Sequence, residues 1–239
     1  MIEADAAEPA SRASPDSRRT PLPVKVILLV LNTEKGSQSL PARKSYTAPV
    51  MPVLISMLRG VNVVGHNRIK MDALRVLYES LKFDNPRTFI QSGNVIFRTK
   101  LPHNPKNSAA LAKKIQDGIE RTFGFRPEVI LRTPDELRAA IAATPFPAHR
   151  NLHPGKVLVT FLTAQPPSTA HTTLLTLKDY PEEVHLKGRE LYIYFPNGAG
   201  QTKLPWSKVE KLLKVNGTAR NWNSVTKMLA IAEEMEAEG

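Results

Sequence analysis

Residues 87–99, RTFIQSGNVIFRT, decide the fold. Two β-rich runs flank Ser92-Gly93, where glycine allows the positive φ of a tight turn, so the stretch predicts a β-hairpin. Upstream, VLISMLR (53–59) is a continuous apolar run that reads as a strand buried on both faces. Between them MDALRVLYESLKF sets Met71, Leu74, Leu77, Tyr78 and Leu81 at helical spacing. Downstream, NSAALAKKIQDGIERTFGF predicts a helix with Ala110, Leu111, Ile115 and Ile119 inward and Gly124 near its end. PEVILR is another strand. TPDELRAAIAATPF opens a short helix with Thr133 as N-cap, Pro134 at N1 and Glu136 completing a capping box. The order is β-α-β-β-α-β. Local pairing of the hairpin and right-handed crossovers turn that order into a split βαβ, ferredoxin-like sheet.

The pattern then echoes. KVLVTFL predicts a strand, STAHTTLLTLKDY a weaker helix, EEVHLKGRELYIYF a hairpin turning at Lys187-Gly188, and PWSKVEKLLKV and NWNSVTKMLAIAEEMEAEG two helices. This order is β-α-β-β-α-α, the first half without its closing strand. The Pro-rich TPFPAHRNLHPGK (144–156) marks a seam. The expected fold class is α+β: a duplicated ferredoxin-like arrangement with subdomains at 51–143 and 157–239, a linker at 144–156, and a disordered tail at 1–50.

That tail is rich in Ala, Ser, Pro and charge, with too little apolar patterning to offset its ordering entropy. Its apolar run VKVILLVLN is short for an export signal and is flanked by Pro21 and Pro23. Met51 opens the first well-patterned segment and reads as an alternative start of translation. The chain has no cysteine, which excludes disulfides, thiolate metal sites and cysteine nucleophiles and fits a reducing cytoplasm. No apolar run approaches the ~20 residues of a membrane span, so no membrane partner is expected. Net charge is +11, and residues 51–239 hold 26 basic against 17 acidic side chains, so the excess belongs to the patterned part. A positive surface concentrates anions, whether nucleotides, phosphorylated metabolites or nucleic acid.

LRGVNVVGHNRIKM, FIQSGNVIF, YFPNGAGQTKLP and GTARNWNSVTKML occur here in that order. Together they resemble the bacterial family known as domain of unknown function 1697 (DUF1697), over about residues 52–232. The resemblance implies the duplicated ferredoxin-like fold and no assigned activity. It also implies a glycine pair after Asn62-Val63, of which Val64 replaces the first and Gly65 remains.

Three polar loops and the first hairpin turn make up the candidate site. After the first strand, Arg59, Gly60, Asn62, Arg68 and Lys70 suggest an anion-contacting loop at a strand's carboxyl end, where ligands gather in open sheets; alternatively Arg59 pairs internally and Asn62 holds the turn. Gln91, Ser92 and Asn94 flank the hairpin turn. In PNGAGQTK, Gly198, Gly200 and Lys203 form a loop able to cradle phosphate, though not in the Walker spacing. In GTARNWNSV, Thr218 or Asn221 caps the last helix and Arg220, Asn221 and Asn223 gather at its positive end, with Trp222 packing inward. Loops 59–70, 198–203 and 218–223 are expected to converge on one positive pocket.

Other chemistries lack support. Ser92 has no Gly-x-Ser-x-Gly setting. The six histidines are scattered, and the pair His149/His153 has no glutamate between its members, so neither metal nor cofactor is expected. Phe89, Phe97, Tyr192 and Tyr194 lie on hairpin strands, where RNA-binding sheets stack bases, but no RNA-binding signature accompanies them. Three functions stay open: a module binding an anionic small molecule or nucleic acid; an enzyme acting on a phosphorylated or carboxylated metabolite; or a scaffold whose polar motifs only staple the halves together.

Overall fold

The computed structural model describes residues 51–63, 65–147, 153–174 and 179–238; the tail, Val64 and His149 lie outside them. The first half runs β1 (Val53–Leu58), α1 (Met71–Ser80), β2 (Asp84–Phe89), β3 (Asn94–Arg98), α2 (Pro105–Phe123), β4 (Val129–Arg132) and α3 (Pro134–Ala142). After a 3-10 turn at Pro154–Lys156 come β5 (Val157–Leu162), α4 (Thr169–Leu174), β6 (Glu183–Lys187), β7 (Glu190–Tyr194), a second 3-10 turn (Ala199–Gln201), α5 (Trp206–Leu213), β8 (Gly217–Asn221) and α6 (Trp222–Ala237). The result is a mixed α+β protein with two four-stranded antiparallel sheets, ordered β2-β3-β1-β4 and β6-β7-β5-β8. Both belong to one compact unit, Ala48–Gly239.

One element departs from the expected order. Gly217–Asn221, read as a helix cap, is strand β8, which pairs with β5 (Leu162↔Gly217 to Leu158↔Asn221) and closes the second sheet. The reason is chemical: the buried positions of β8 are Thr218 and Arg220, so its alternation carries no apolar signal. Gly217 is required by packing, since a Cβ there would sit 2.8 Å from Leu162 and Thr160 side-chain carbons and 2.9 Å from the Phe161 carbonyl.

The pleat sorts β1 into two faces. Leu54 and Leu58 join α1 and α2 in an outer core with Leu74, Leu77, Tyr78, Leu111, Ile115 and Ile119. Val53, Ile55 and Met57 point the other way, into a central core shared with Val157, Val159 and Phe161 of β5 and with α3 and α6. The opposite face of the second sheet (Leu162, Leu191, Ile193) is covered by α4 and α5. The central core therefore welds the halves, and α6 touches β1, β3, β5 and β8. Ala110, expected inward, is exposed; Gly118 takes the remaining place on the buried stripe of α2. The capping box at Thr133/Glu136 is formed. No helix of the described residues is long and apolar enough to cross a membrane.

Tyr78 is fully buried and shares a 2.7 Å hydrogen bond with Ser56. Burial pushes its phenol well above the ordinary value of 10.0, against a smaller lowering by Ser56. A raised folded-state value means that its stabilisation is complete below about pH 10 and is lost as pH rises. The stability difference between the native chain and Tyr78→Phe is expected to shrink between about pH 9 and pH 11, by up to about 1.4 kcal/mol per pH unit, in urea unfolding. A constant difference would contradict this.

Candidate functional site

At the end of β1 the chain leaves the sheet under tight control. The Arg59 amide donates to the Glu128 carbonyl, and its guanidinium reaches Glu210 of α5 at 2.6 Å. That pair is 33% and 49% exposed, worth at most about 1 kcal/mol. Asn62 closes the loop on itself: its Oδ1 accepts from the Ile69 amide (2.8 Å), and its Nδ2 donates to the Ile69 carbonyl (3.0 Å) and to the Gln91 carbonyl (2.7 Å). Asn67 donates to the Gly60 carbonyl at 3.0 Å. The loop after β1 and the turn after β2 are thus one tied structure.

Arg220 completes the knot from the second half. Nε donates to Asn94 Oδ1 (2.6 Å), Nη1 to Thr218 Oγ1 (2.7 Å) and the Ala219 carbonyl (2.8 Å), and Nη2 to the carbonyls of Leu58 (2.9 Å) and Ser92 (3.0 Å). All five N–H donors are engaged, none by a carboxylate. Asn94 is oriented in turn by the Phe89 carbonyl and Ser92 Oγ. Arg220 is 6% exposed, and burial lowers its pKa to about 10, leaving it charged at neutral pH. A guanidinium so occupied binds the β1 end, the hairpin turn and β8 to one another.

Arg59, Gly60, Asn62, Gln91, Ser92, Asn94 and Arg220 therefore do come together, but as a junction held by protein groups. Among the described residues, the cleft described next is lined from the 59–70 loop, the start of α1 and Gln91, and not by Lys203, Arg220, Asn221 or Asn223. Lys203 is exposed after the 3-10 turn and lines no part of the junction or of the cleft described next. Asn221 is the N-cap of α6, its Oδ1 accepting from Ser224 N at 2.8 Å; Asn223 is exposed one residue past Trp222, which packs into the central core. Phe97 and Tyr192 are buried, and Phe89 and Tyr194 pack on the central core, so the sheets offer no bare aromatic platform.

Beside the junction lies an open cleft of about 910 Å³, walled by Asn62, Gly65, Arg68, Lys70, Asp72 and Gln91 over Ile69 and Met71. It sits at the N-terminus of α1, whose N-cap residue Lys70 provides no side-chain cap. The first-turn amides of a helix and its dipole favour an anion there. Among the described residues, neither Arg68 nor Lys70 forms an ion pair; Asp72 is the one opposing charge in the wall. Gly60, Asn62, Gly65, Asn67, Ile90 and Gly93, six of the twelve positive-φ residues described, cluster in this loop and turn. Ile90 is the outlier: a β-branched residue at φ +49, 46% exposed. Ile90→Asn is expected to stabilise the protein by about 1 kcal/mol, raising the melting temperature by about 2–4 °C. A lowered melting temperature would mean that its apolar contacts outweigh the strain.

Sequence reading missed the buried arginines that end strands. Arg132, 2% exposed, donates to Glu190 (3.2 Å) and to the Leu162 carbonyl (2.9 Å) and lies over the Phe161 ring. Arg98 donates to the Met235 carbonyl near the end of α6, where Arg87 also pairs with Glu234 and Glu238. The available signal was a lone arginine closing an apolar strand. No group of three metal-ligating side chains occurs among the described residues.

The family described as "Protein of unknown function (DUF1697)" matches residues 51–192, more than half of the chain. No curated protein matches. Among solved structures, that of conserved bacterial protein SP0830 from Streptococcus pneumoniae is similar with a TM-score of 0.52 and 20% identity, covering 76% of this chain and 99% of that one. At that identity the likeness is one of fold.

Proposed function

The chain belongs to the DUF1697 family, and from there we propose that it binds an anionic small molecule, a nucleotide or a phosphorylated metabolite, in the cleft at the start of α1. One observation carries this reading: two basic side chains without ion pairs, Arg68 and Lys70, flank the uncapped N-terminus of a ten-residue helix in an open cleft. The wall offers one carboxylate, Asp72, and no histidine, which favours binding over catalysis. We infer further that the halves are copies of one split βαβ, ferredoxin-like unit, because both sheets place their strands in the same order. A cytoplasmic setting is in keeping with the absence of cysteine.

The test is thermal melting with inorganic phosphate, adenosine monophosphate and a mixed oligonucleotide. A ligand at a hundred times its dissociation constant is expected to stabilise the protein by about 2.7 kcal/mol. Arg68→Ala with Lys70→Ala should abolish that shift and leave the unliganded melting temperature nearly unchanged, since both side chains are exposed. A shift with the oligonucleotide alone, falling steeply with salt, would redirect the reading to nucleic acid. No shift with any of the three, or a shift that survives the double substitution, would refute it.

A further inference from the structure

Away from that cleft, a cavity of about 650 Å³ opens between α2, β4 and the second half, within the usual range of ligand pockets. Its apolar wall includes Ala109 and Ala112 of α2 and Ile130 and Leu131 of β4. Its charged wall holds Arg132 and Arg189 against one carboxylate, Glu136. Both Glu136 oxygens are already engaged, one by Arg189 and the other by the Thr133 amide. Arg132 is held by Glu190 and by the Leu131 and Leu162 carbonyls, whereas Arg189 is 38% exposed and keeps donors to spare. The positive end of the nineteen-residue α2, capped by Asn104, also borders the cavity.

An apolar wall beside an arginine that keeps free donors, at the positive end of a helix, suits one ligand chemistry. We propose that this cavity binds a small amphiphile, an apolar body carrying a carboxylate head. The head draws on the spare donors of Arg189, and the body lies against Ala109, Ala112 and Leu131. This site is separate from the cleft at α1 and does not depend on it.

Calorimetric titration of the full chain with octanoate, octanol and octylamine tests the proposal. Octanoate is expected to bind at a single site, at least about tenfold more tightly than either chain-matched control. Arg189→Gln should weaken octanoate by about tenfold or more, with Arg189→Lys recovering part of the loss. Ala109→Trp, at an exposed position of α2, should fill the cavity and abolish binding. Arg68→Ala with Lys70→Ala should leave octanoate unaffected, which separates this site from the cleft. No octanoate binding, equal binding of octanol, or native binding by Ala109→Trp would each overturn the proposal.

Discussion

Arg220→Met is expected to lower stability by about 3–4 kcal/mol and the melting temperature by about 6–16 °C. The side chain is nearly isosteric along its stem, so the loss is one of hydrogen bonds. The carbonyls of Leu58 and Ser92 and Oδ1 of Asn94 lose their donor in a buried place. Each orphaned acceptor costs about 1–3 kcal/mol, and the relief of no longer burying a charge offsets part of the sum. Arg220→Lys should recover little, because a lysine's three donors cannot meet five acceptors spread around a planar fork. Urea unfolding measures the change; a loss below about 1 kcal/mol would show that the junction is not holding the halves.

Arg132→Met is expected to cost about 3–5 kcal/mol, the usual result of breaking a buried pair from one side. It leaves Glu190, only 17% exposed, without its cation, and the Leu162 carbonyl without a donor. The partner change distinguishes a charge effect from a packing effect. Arg132→Met combined with Glu190→Met removes the uncompensated charge and should regain much of the loss. If the double variant is as unstable as the sum of the single ones, the pair is not coupled and burial of Arg132 has another cause.

These two arginines also mark where sequence reading stopped. Apolar periodicity reached β1, α1, α2, β3 and β7 because each buries a continuous stripe: Leu74, Leu77 and Tyr78 of α1 lie where their spacing put them. β8 escaped because its buried face is Thr218 and Arg220, and a polar inner face looks like a loop. The knot was legible in part. Asn62 does hold its turn and Asn221 does cap α6, as side-chain chemistry suggested. The convergence of Arg220 with Ser92 and Asn94 spans more than 120 positions of chain, which no local pattern encodes. Arginine in a polar motif suggested a clamp for a ligand; the structure shows such a residue satisfied by backbone carbonyls, and leaves the less conspicuous Arg68 and Lys70 facing a cleft.

Arg220 and its acceptors tie the β1 end, the hairpin turn and β8 together, and the neighbouring cleft at α1 is proposed to receive the anion. Amide-resolved NMR during titration with inorganic phosphate tests it most directly. Shifts are expected at Gly65, Arg68, Lys70, Asp72 and Gln91, with the amides of Ala219, Arg220 and Lys203 unmoved. Shifts centred on Arg220 or on the Gly198–Lys203 loop, or none anywhere at saturating phosphate, would contradict it.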